Sequence, residues 1–363
     1  MKKILLITLD FYPKTGGVAN YYLNLCKGLG KDVVVLTNMT EGDSKFDFKL
    51  VRKKILSRVI WPRWLPIFFY AYKVIRNEKV KVLWAGEVLP TGTVIYFLSK
   101  FFKIPYIVSC HGKDILQAQK KSRKKKLARK ILQNAKYVTV NSKHTGELVS
   151  EMGVAKDKIK VIYPGVDISK HEESGSDILS KYNLKDKPIL LSIGRLVARK
   201  GVDRVIEALP QVWQHIPDLV YMIVGSGPYE EELKKKAQGD ERIIFFQSLT
   251  GDDKDRLYTA CDVFIMPSRE SKDDVEGFGI VYLEAASFSK PVIAGLSGGV
   301  AEAVVDGKTG ILVNPDKVDE IALAIIKLFK DKDLREKLGS RGMERAKNEF
   351  NWQISISKFK ELI

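Results

Sequence analysis

A chain of 363 residues is long for one globular domain and comfortable for two, and 45% hydrophobic residues suffice for two buried cores. Lys and Arg outnumber Asp and Glu by 61 to 44, and a formal charge of +17 calls for an anionic partner: a nucleotide, a membrane surface or a nucleic acid. No segment approaches the roughly 20 apolar residues of a bilayer-crossing helix, and three scattered cysteines (Cys26, Cys110, Cys261) read as reduced core residues of a cytosolic protein.

The opening MKKILLITLD is too short in its apolar run, which meets Asp10 at once, to be a signal peptide. Lys3–Leu9 reads as a strand, Asp10–Gly17 as a loop, Val18–Leu29 as a helix and Val33–Asn38 as a second strand. This is a Rossmann-like unit. It lacks the full G-x-G-x-x-G fingerprint, so no dinucleotide is expected, and Gly16 and Gly17 suit a strand-to-helix turn.

From Phe48 to Asn77 there is no acidic residue. The stretch carries Lys49, Arg52, Lys53, Lys54, Arg58 and Arg63, then Trp61, Trp64, Phe68, Phe69, Tyr70 and Tyr72. Basic residues beside Trp and Phe suit an element resting among lipid headgroups, and equally a partly buried helix with a solvated basic face. Lys81–Ala85 and Tyr106–Cys110 read as further strands. The second ends in His111-Gly112-Lys113-Asp114, at the carboxyl end of a parallel strand, where open α/β sheets bind ligands.

A second basic run, Lys120–Lys136, holds nine Lys or Arg residues and no acid. Lys120, Lys121, Arg123, Lys124, Lys125 and Lys126 could each contribute up to about 1 kcal/mol at an anionic leaflet. A solvated helix face is the alternative. Aromatic stacking groups are not interleaved in this run, which argues against a nucleic-acid partner. Tyr137–Asn141 and Ile159–Tyr163 are strands, and residues 168–187, polar and including Gly175, read as an inter-domain linker.

The second domain opens with the strand Pro188–Ile193 and Gly194-Arg195-Leu196, and a helix follows Arg199-Lys200-Gly201. Val220–Val224, Ile243–Gln247 and Val263–Met266 are strands, with loops at Gly225–Pro228 and Ser248–Gly251 and a polar loop at Arg269–Val275. Then comes Val275–Ser289, VEGFGIVYLEAASFS, in which Glu276 and Gly277 precede Phe278, Gly279 and an apolar helical run. Glycines here let a ligand approach the first helix amides, whose unpaired N–H groups and dipole suit a phosphate. Two carboxylates, Glu276 and Glu284, do not suit phosphate but do suit neutral hydroxyls, a ribose on one side and a sugar ring on the other. A capped amphipathic helix with one buried glutamate would show the same spacing. Pro291–Ala294 and Ile311–Val313 close the sheet around a Gly298-Gly299 turn. Helices over Val318–Lys330 and Asp333–Phe350 and a last helical segment from Trp352 complete the chain.

EGFGIVYLEA, with SKPVIAGLSGGVAEAV and DGKTGILV after it, closely resembles the retaining glycosyltransferases of family GT4, and in particular the phosphatidylinositol mannosyltransferase PimB-type branch. The likeness spans almost the whole chain and is strongest from Ile189 to Pro315. It implies the α/β GT-B fold, two Rossmann-like doubly wound domains facing across a cleft. These would be an acceptor-side domain over 1–167, a nucleotide-sugar domain over 188–350, and a C-terminal helix over about 351–363 that packs back onto the first.

The resemblance also implies roles. Arg195 and Lys200 would hold the donor diphosphate, with Gly16, Gly17, Gly194 and the amides around Phe278, Gly279 and Ile280. Glu284 would take the ribose hydroxyls, Glu276 and His111 the donor hexose, and the region around Gly225–Pro228 and Ile243–Gly251 the base. Asp10 and Asp114 fall on the acceptor side. The family pattern implies transfer of a hexose from a nucleoside diphosphate sugar with retention of configuration, and domain motion to align the partners. That sugar is the co-substrate; no cofactor is expected and, without an Asp-x-Asp motif in a matching context, no metal.

PimB-like features favour GDP-mannose and a lipid or lipid-linked saccharide acceptor, with the protein cytoplasmic and peripherally held at the inner membrane face. Arg52, Lys53, Lys54, Trp61, Trp64 and the Lys120–Lys126 residues would make the contact. The alternatives are a UDP-sugar (glucose or N-acetylglucosamine) used in lipopolysaccharide, capsule or other polysaccharide assembly, or a soluble acceptor.

Overall fold

The computed structural model describes residues 2–40, 45–57, 59–168, 179–180, 184–247, 252–271 and 274–363. Most of the linker expected over 168–187 and the loop expected over 248–251 therefore lie outside the described residues. The chain forms two compact units, Met1–Pro164 with Trp352–Ile363, and Gly165–Asn351.

In the first unit seven strands are described: β1 (Ile4–Ile7), β2 (Val33–Asn38), β3 (Lys49–Lys53), β4 (Val82–Ala85), β5 (Tyr106–Cys110), β6 (Tyr137–Val140) and β7 (Ile159–Val161). They pair in the order β3-β2-β1-β4-β5-β6-β7, every pair parallel. Strands β1, β4 and β5 are buried along their whole length, as parallel strands covered on both faces must be, and so they read as unbroken apolar runs. Their side chains alternate between two cores. Leu5, Ile7, Val34 and Leu36 pack with Ile67, Ala71 and Ile75 of the Leu65–Glu78 helix, and with Ile131 and Leu132 of the Ser122–Asn134 helix. Ile4, Leu6, Val33 and Val35 pack with Tyr21, Tyr22, Leu25 and Cys26 of the Gly17–Leu29 helix.

One feature here goes beyond the sequence reading. KLVRK at β3 is a strand, not part of a continuous surface element; as an edge strand, paired among the described residues to β2 alone, it tolerates its charges. The Trp352–Lys360 helix belongs to this unit. Phe359 lies 4.3 Å, ring centre to ring centre, from Trp84 on β4, and Ser355 Oγ donates to the Tyr163 carbonyl at 2.7 Å.

The second unit holds β8 (Ile189–Ile193), β9 (Val220–Val224), β10 (Ile243–Phe246), β11 (Val263–Met266), β12 (Val292–Gly295) and β13 (Gly310–Val313). They run parallel in the order β10-β9-β8-β11-β12-β13. In each sheet the direction of strand addition reverses once, between β1 and β4 and between β8 and β11. Neighbouring loops diverge at such a switch point, and the crevice beyond the carboxyl ends of those strands is where doubly wound sheets bind ligands.

Candidate active site

In the second unit the loops after β8 and β11 meet at Glu276. Its Oε2 accepts from Lys200 Nζ at 2.6 Å and from Arg199 Nη1 at 2.8 Å, and lies 3.4 Å from Ser268 Oγ. The two cations sit on the short 3-10 turn Ala198–Lys200 directly after β8, and Arg199 reaches Asp274 as well, at 3.4 Å. Burial alone would push the Glu276 carboxyl up. Lys200 and then Arg199 outweigh that and hold it down to about 2, so it is a carboxylate. The Glu276 carbonyl accepts the Gly299 amide at 2.9 Å. Gly298, at φ +51°, packs so closely against that carbonyl that a Cβ would collide with it.

The helix anticipated near Phe278 begins at Ile280 and runs to Ser287. Gly279 precedes it at φ +90°, with the Tyr282 ring directly beneath, and no side chain caps the first amides. Tyr282 donates its amide to the Gly279 carbonyl at 3.1 Å, and the dipole-positive amides ahead of it suit an anion. Phe278 is core, its ring 5.6 Å from that of Phe350, so its contribution to a ligand is restricted to the backbone. Glu284 lies just over one turn inside. Its Oε1 accepts from Lys254 Nζ at 2.8 Å and its Oε2 from the Tyr258 hydroxyl at 3.0 Å. Gly194 donates its amide to the Val224 carbonyl at 2.9 Å, and Arg195 is exposed beside the buried Lys200.

In the first unit the ends of β1, β4 and β5 bring Asp10, Glu87, His111 and Asp114 together. Glu87 Oε1 accepts the Leu9 amide at 3.2 Å and its Oε2 lies 3.3 Å from Thr8 Oγ1. Burial, then the nearby charge of Asp10, push its carboxyl up to about 8. Asp114 Oδ1 accepts the His111 amide at 2.9 Å; burial lifts Asp114 to about 6 against the backbone amides that hold it down. His111 Nε2 lies 2.6 Å from the Tyr22 hydroxyl, and burial lowers its pKa to about 4. Asp10 is exposed and pairs with Lys14 at 3.1 Å, and Gly16 and Gly17 are exposed at the start of the Gly17–Leu29 helix.

The residues expected at a membrane separate into two kinds. Lys120, Lys121, Arg123, Lys124, Lys125 and Lys126 are all exposed, as are Lys53, Lys54 and Trp61, the last at 88%. Trp64 is partly buried against the first core and stacks on Phe97, and half-buried Arg52 donates to the Tyr12 carbonyl at 3.2 Å. Among the described residues no helix is long and apolar enough to cross a membrane, and no group of three His, Cys, Asp or Glu residues gathers as a metal site.

Sequence reasoning passed over Arg199, Lys254, Tyr258, Tyr22 and Glu87. Glu87 had a legible signal, a carboxylate directly beyond the apolar strand VLWA, as His111 stands beyond YIVSC. Lys254 and Tyr258 had none; each reaches Glu284 only through tertiary packing.

Two all-parallel, doubly wound units in one chain are the make-up of the GT-B fold. Residues 15–170 match the model of Glycosyltransferase Family 4 and residues 176–345 that of Glycosyl transferases group 1. A GDP-mannose-dependent monoacylated alpha-(1-6)-phosphatidylinositol monomannoside mannosyltransferase from Corynebacterium glutamicum is 30% identical, over 97% of this chain and 95% of its own. A GDP-mannose-dependent alpha-(1-6)-phosphatidylinositol monomannoside mannosyltransferase from Mycolicibacterium smegmatis is 29% identical over 99% and 98%. Anabaena HepE, in complex with UDP and glucose, superposes with a TM-score of 0.84 at 22% identity, covering 99% of both chains. Sucrose-phosphate synthase from Thermosynechococcus elongatus gives 0.85 at 25%, covering 100% of this chain and 98% of its own. The chain belongs to the GT4 glycosyltransferases and is a hexosyltransferase.

Proposed function

We propose that the enzyme transfers mannose from GDP-mannose, with retention of anomeric configuration, to a lipid or lipid-linked saccharide at the cytoplasmic face of the membrane. The observation that carries this reading is the near full-length similarity to relatives from C. glutamicum and M. smegmatis, whose names specify that donor and a phosphatidylinositol monomannoside acceptor. The exposed basic run Lys120–Lys126 and Trp61 supply a docking surface for an anionic leaflet.

As the nucleoside diphosphate leaves, negative charge develops on its β-phosphate and positive charge on the anomeric carbon. Arg195, Lys200 and the first amides of the Ile280–Ser287 helix take up the negative charge, which is electrostatic catalysis by donors already in place. Arg195 offers a planar fork for two oxygens and Lys200 a compact point charge. Glu284 accepts from the ribose hydroxyls, and Glu276 and His111 contact the hexose. The acceptor hydroxyl forms its bond to the anomeric carbon on the face from which the diphosphate departs, and the departing phosphate takes its proton. This chemistry uses no metal and no cofactor.

Calorimetry with GDP-mannose, UDP-glucose and UDP-N-acetylglucosamine, in the presence of a chelator and on wild type and Glu284→Ala, tests the donor. GDP-mannose is expected to bind wild type and to bind the variant more weakly. Selective binding of a UDP-sugar would replace the mannose assignment with a UDP-dependent one, the donor named in the HepE complexes. Binding of none would sink the donor site.

A further inference from the structure

The His111 ring is held from several sides within the first unit. Its backbone amide donates to Asp114, and its ring meets those of Tyr21 and Tyr22 edge-on, with centroids 5.3 and 5.4 Å apart. Nε2 lies 2.6 Å from the Tyr22 hydroxyl, which also makes a close hydrogen bond to the Gly86 carbonyl. Tyr22 is fully buried, wedged edge-on against Trp84, and the Ser109 hydroxyl is a further hydrogen-bond neighbour of its oxygen.

Proton counting then decides the tautomer. A carbonyl oxygen only accepts, so the single phenolic proton points at Gly86. The Tyr22 oxygen must therefore accept from His111, and Nε2 must carry a proton. Burial keeps the ring neutral, with the charge of Asp10 pulling the other way and failing to reverse it. A neutral imidazole protonated at Nε2 has a bare lone pair on Nδ1. The ring's hydrogen bond among the described residues is the one at Nε2, so Nδ1 remains available as an acceptor.

We propose that Tyr22 is a positioning residue that locks His111 in the Nε2–H tautomer, so that Nδ1 accepts a hydrogen bond from a hydroxyl of the hexose. The hexose part of this statement rests on the function proposed above; the tautomer does not. His111 then acts as a sugar-hydroxyl acceptor and not as a proton donor to the leaving phosphate.

The test is long-range proton–nitrogen correlation NMR on the full chain labelled with 15N-histidine at neutral pH, with His111 identified by its loss in His111→Asn. Wild type is expected to show Nε2–H at His111, and Tyr22→Phe, which keeps the ring and deletes the hydroxyl, to lose that preference. With the donor identified by calorimetry, kcat of Tyr22→Phe should fall roughly 10-fold with the donor KM little changed, the cost of misplacing one hydrogen bond. His111→Asn, whose carbonyl oxygen can stand near the Nδ1 position, should keep more activity than His111→Gln. A purely structural role for Tyr22 would move neither the tautomer nor the order of those two variants. Nδ1–H in wild type, or an Nε2–H preference that survives in Tyr22→Phe, overturns the lock. If the tautomer shifts and kcat does not, the hexose is not at Nδ1, and it is the sugar-facing role of His111 that falls. Should Tyr22→Phe fail to fold, the wild-type tautomer and the Asn–Gln comparison still decide.

Discussion

Lys200 Nζ lies 2.6 Å from Glu276 Oε2, and the two residues are only 8% and 9% exposed. The cation assigned to the donor phosphates and the carboxylate assigned to the donor sugar therefore neutralise each other, and Arg199 shares the same oxygen. Taking one charge from such a cluster strands the others in a poorly hydrated place, which costs about 3–5 kcal/mol when a buried pair is broken. Glu276→Gln is thus expected to lower the urea midpoint of the second unit's transition markedly. The double change Glu276→Gln with Lys200→Met should lose much less than the sum of the two single changes, while transfer stays abolished. Additive losses would show that the three groups do not act as one cluster.

Tyr258 and Lys254 hold the two oxygens of Glu284 apart and in place. Tyr258→Phe removes one of these bonds without opening a cavity. The Glu284 carboxylate then loses part of its fixed orientation, and nucleotide-sugar affinity should fall about 3- to 10-fold, the value of one neutral-to-charged hydrogen bond only partly lost. Calorimetry reads this directly, and an unchanged affinity would remove Tyr258 from the donor site.

Glu87 makes stability depend on pH. Its pKa in the fold, about 8, stands above the ordinary 4.5, so between those values the folded chain retains a proton that the unfolded chain has released. The native state binds more protons there, and stability falls as pH rises through the window, levelling off above it. Glu87→Gln cannot titrate. Its melting temperature relative to wild type should therefore climb from pH 5 to pH 8 and then stay constant. A difference independent of pH would mean that Glu87 is ionised throughout.

The exposed basic residues and Trp61 predict a salt-sensitive attachment to anionic vesicles. Replacing Lys124, Lys125 and Lys126 together by Gln removes about 1 kcal/mol each at a charged leaflet, so flotation with phosphatidylglycerol vesicles should weaken by roughly 100-fold if all three engage. Moderate salt should weaken the wild type similarly. Trp64→Ala is the control, since that ring is packed on Phe97; it should lower thermal stability and leave vesicle binding nearly intact. Equal binding of the triple variant would restrict this helix to a solvated role.

Much of this architecture could be read along the chain because parallel strands buried on both faces must be continuously apolar. ILLI, YIVSC, ILLSI and VYMIV announce themselves, and so does the glycine-rich approach to the Ile280–Ser287 helix. The strand Lys49–Lys53 did not, because an edge strand needs little apolar surface and KLVRK carries charge at both ends. The two tryptophans looked alike in sequence; packing against Phe97 is what separates Trp64 from the exposed Trp61.

The amino-acid sequence by itself determined the family, the two-unit α/β plan and the residue types that a nucleotide-sugar enzyme requires, since these follow from local apolar periodicity and from motifs only a few residues long. Tertiary structure alone decided that Arg199 joins Lys200 on Glu276, that Lys254 and Tyr258 hold Glu284, and that Tyr22 and Gly86 set the proton on His111. Those partners lie between 26 and 89 positions away along the chain. A hydrogen bond depends on placement within a few tenths of an ångström, and such placement arises only when separate strands and helices pack.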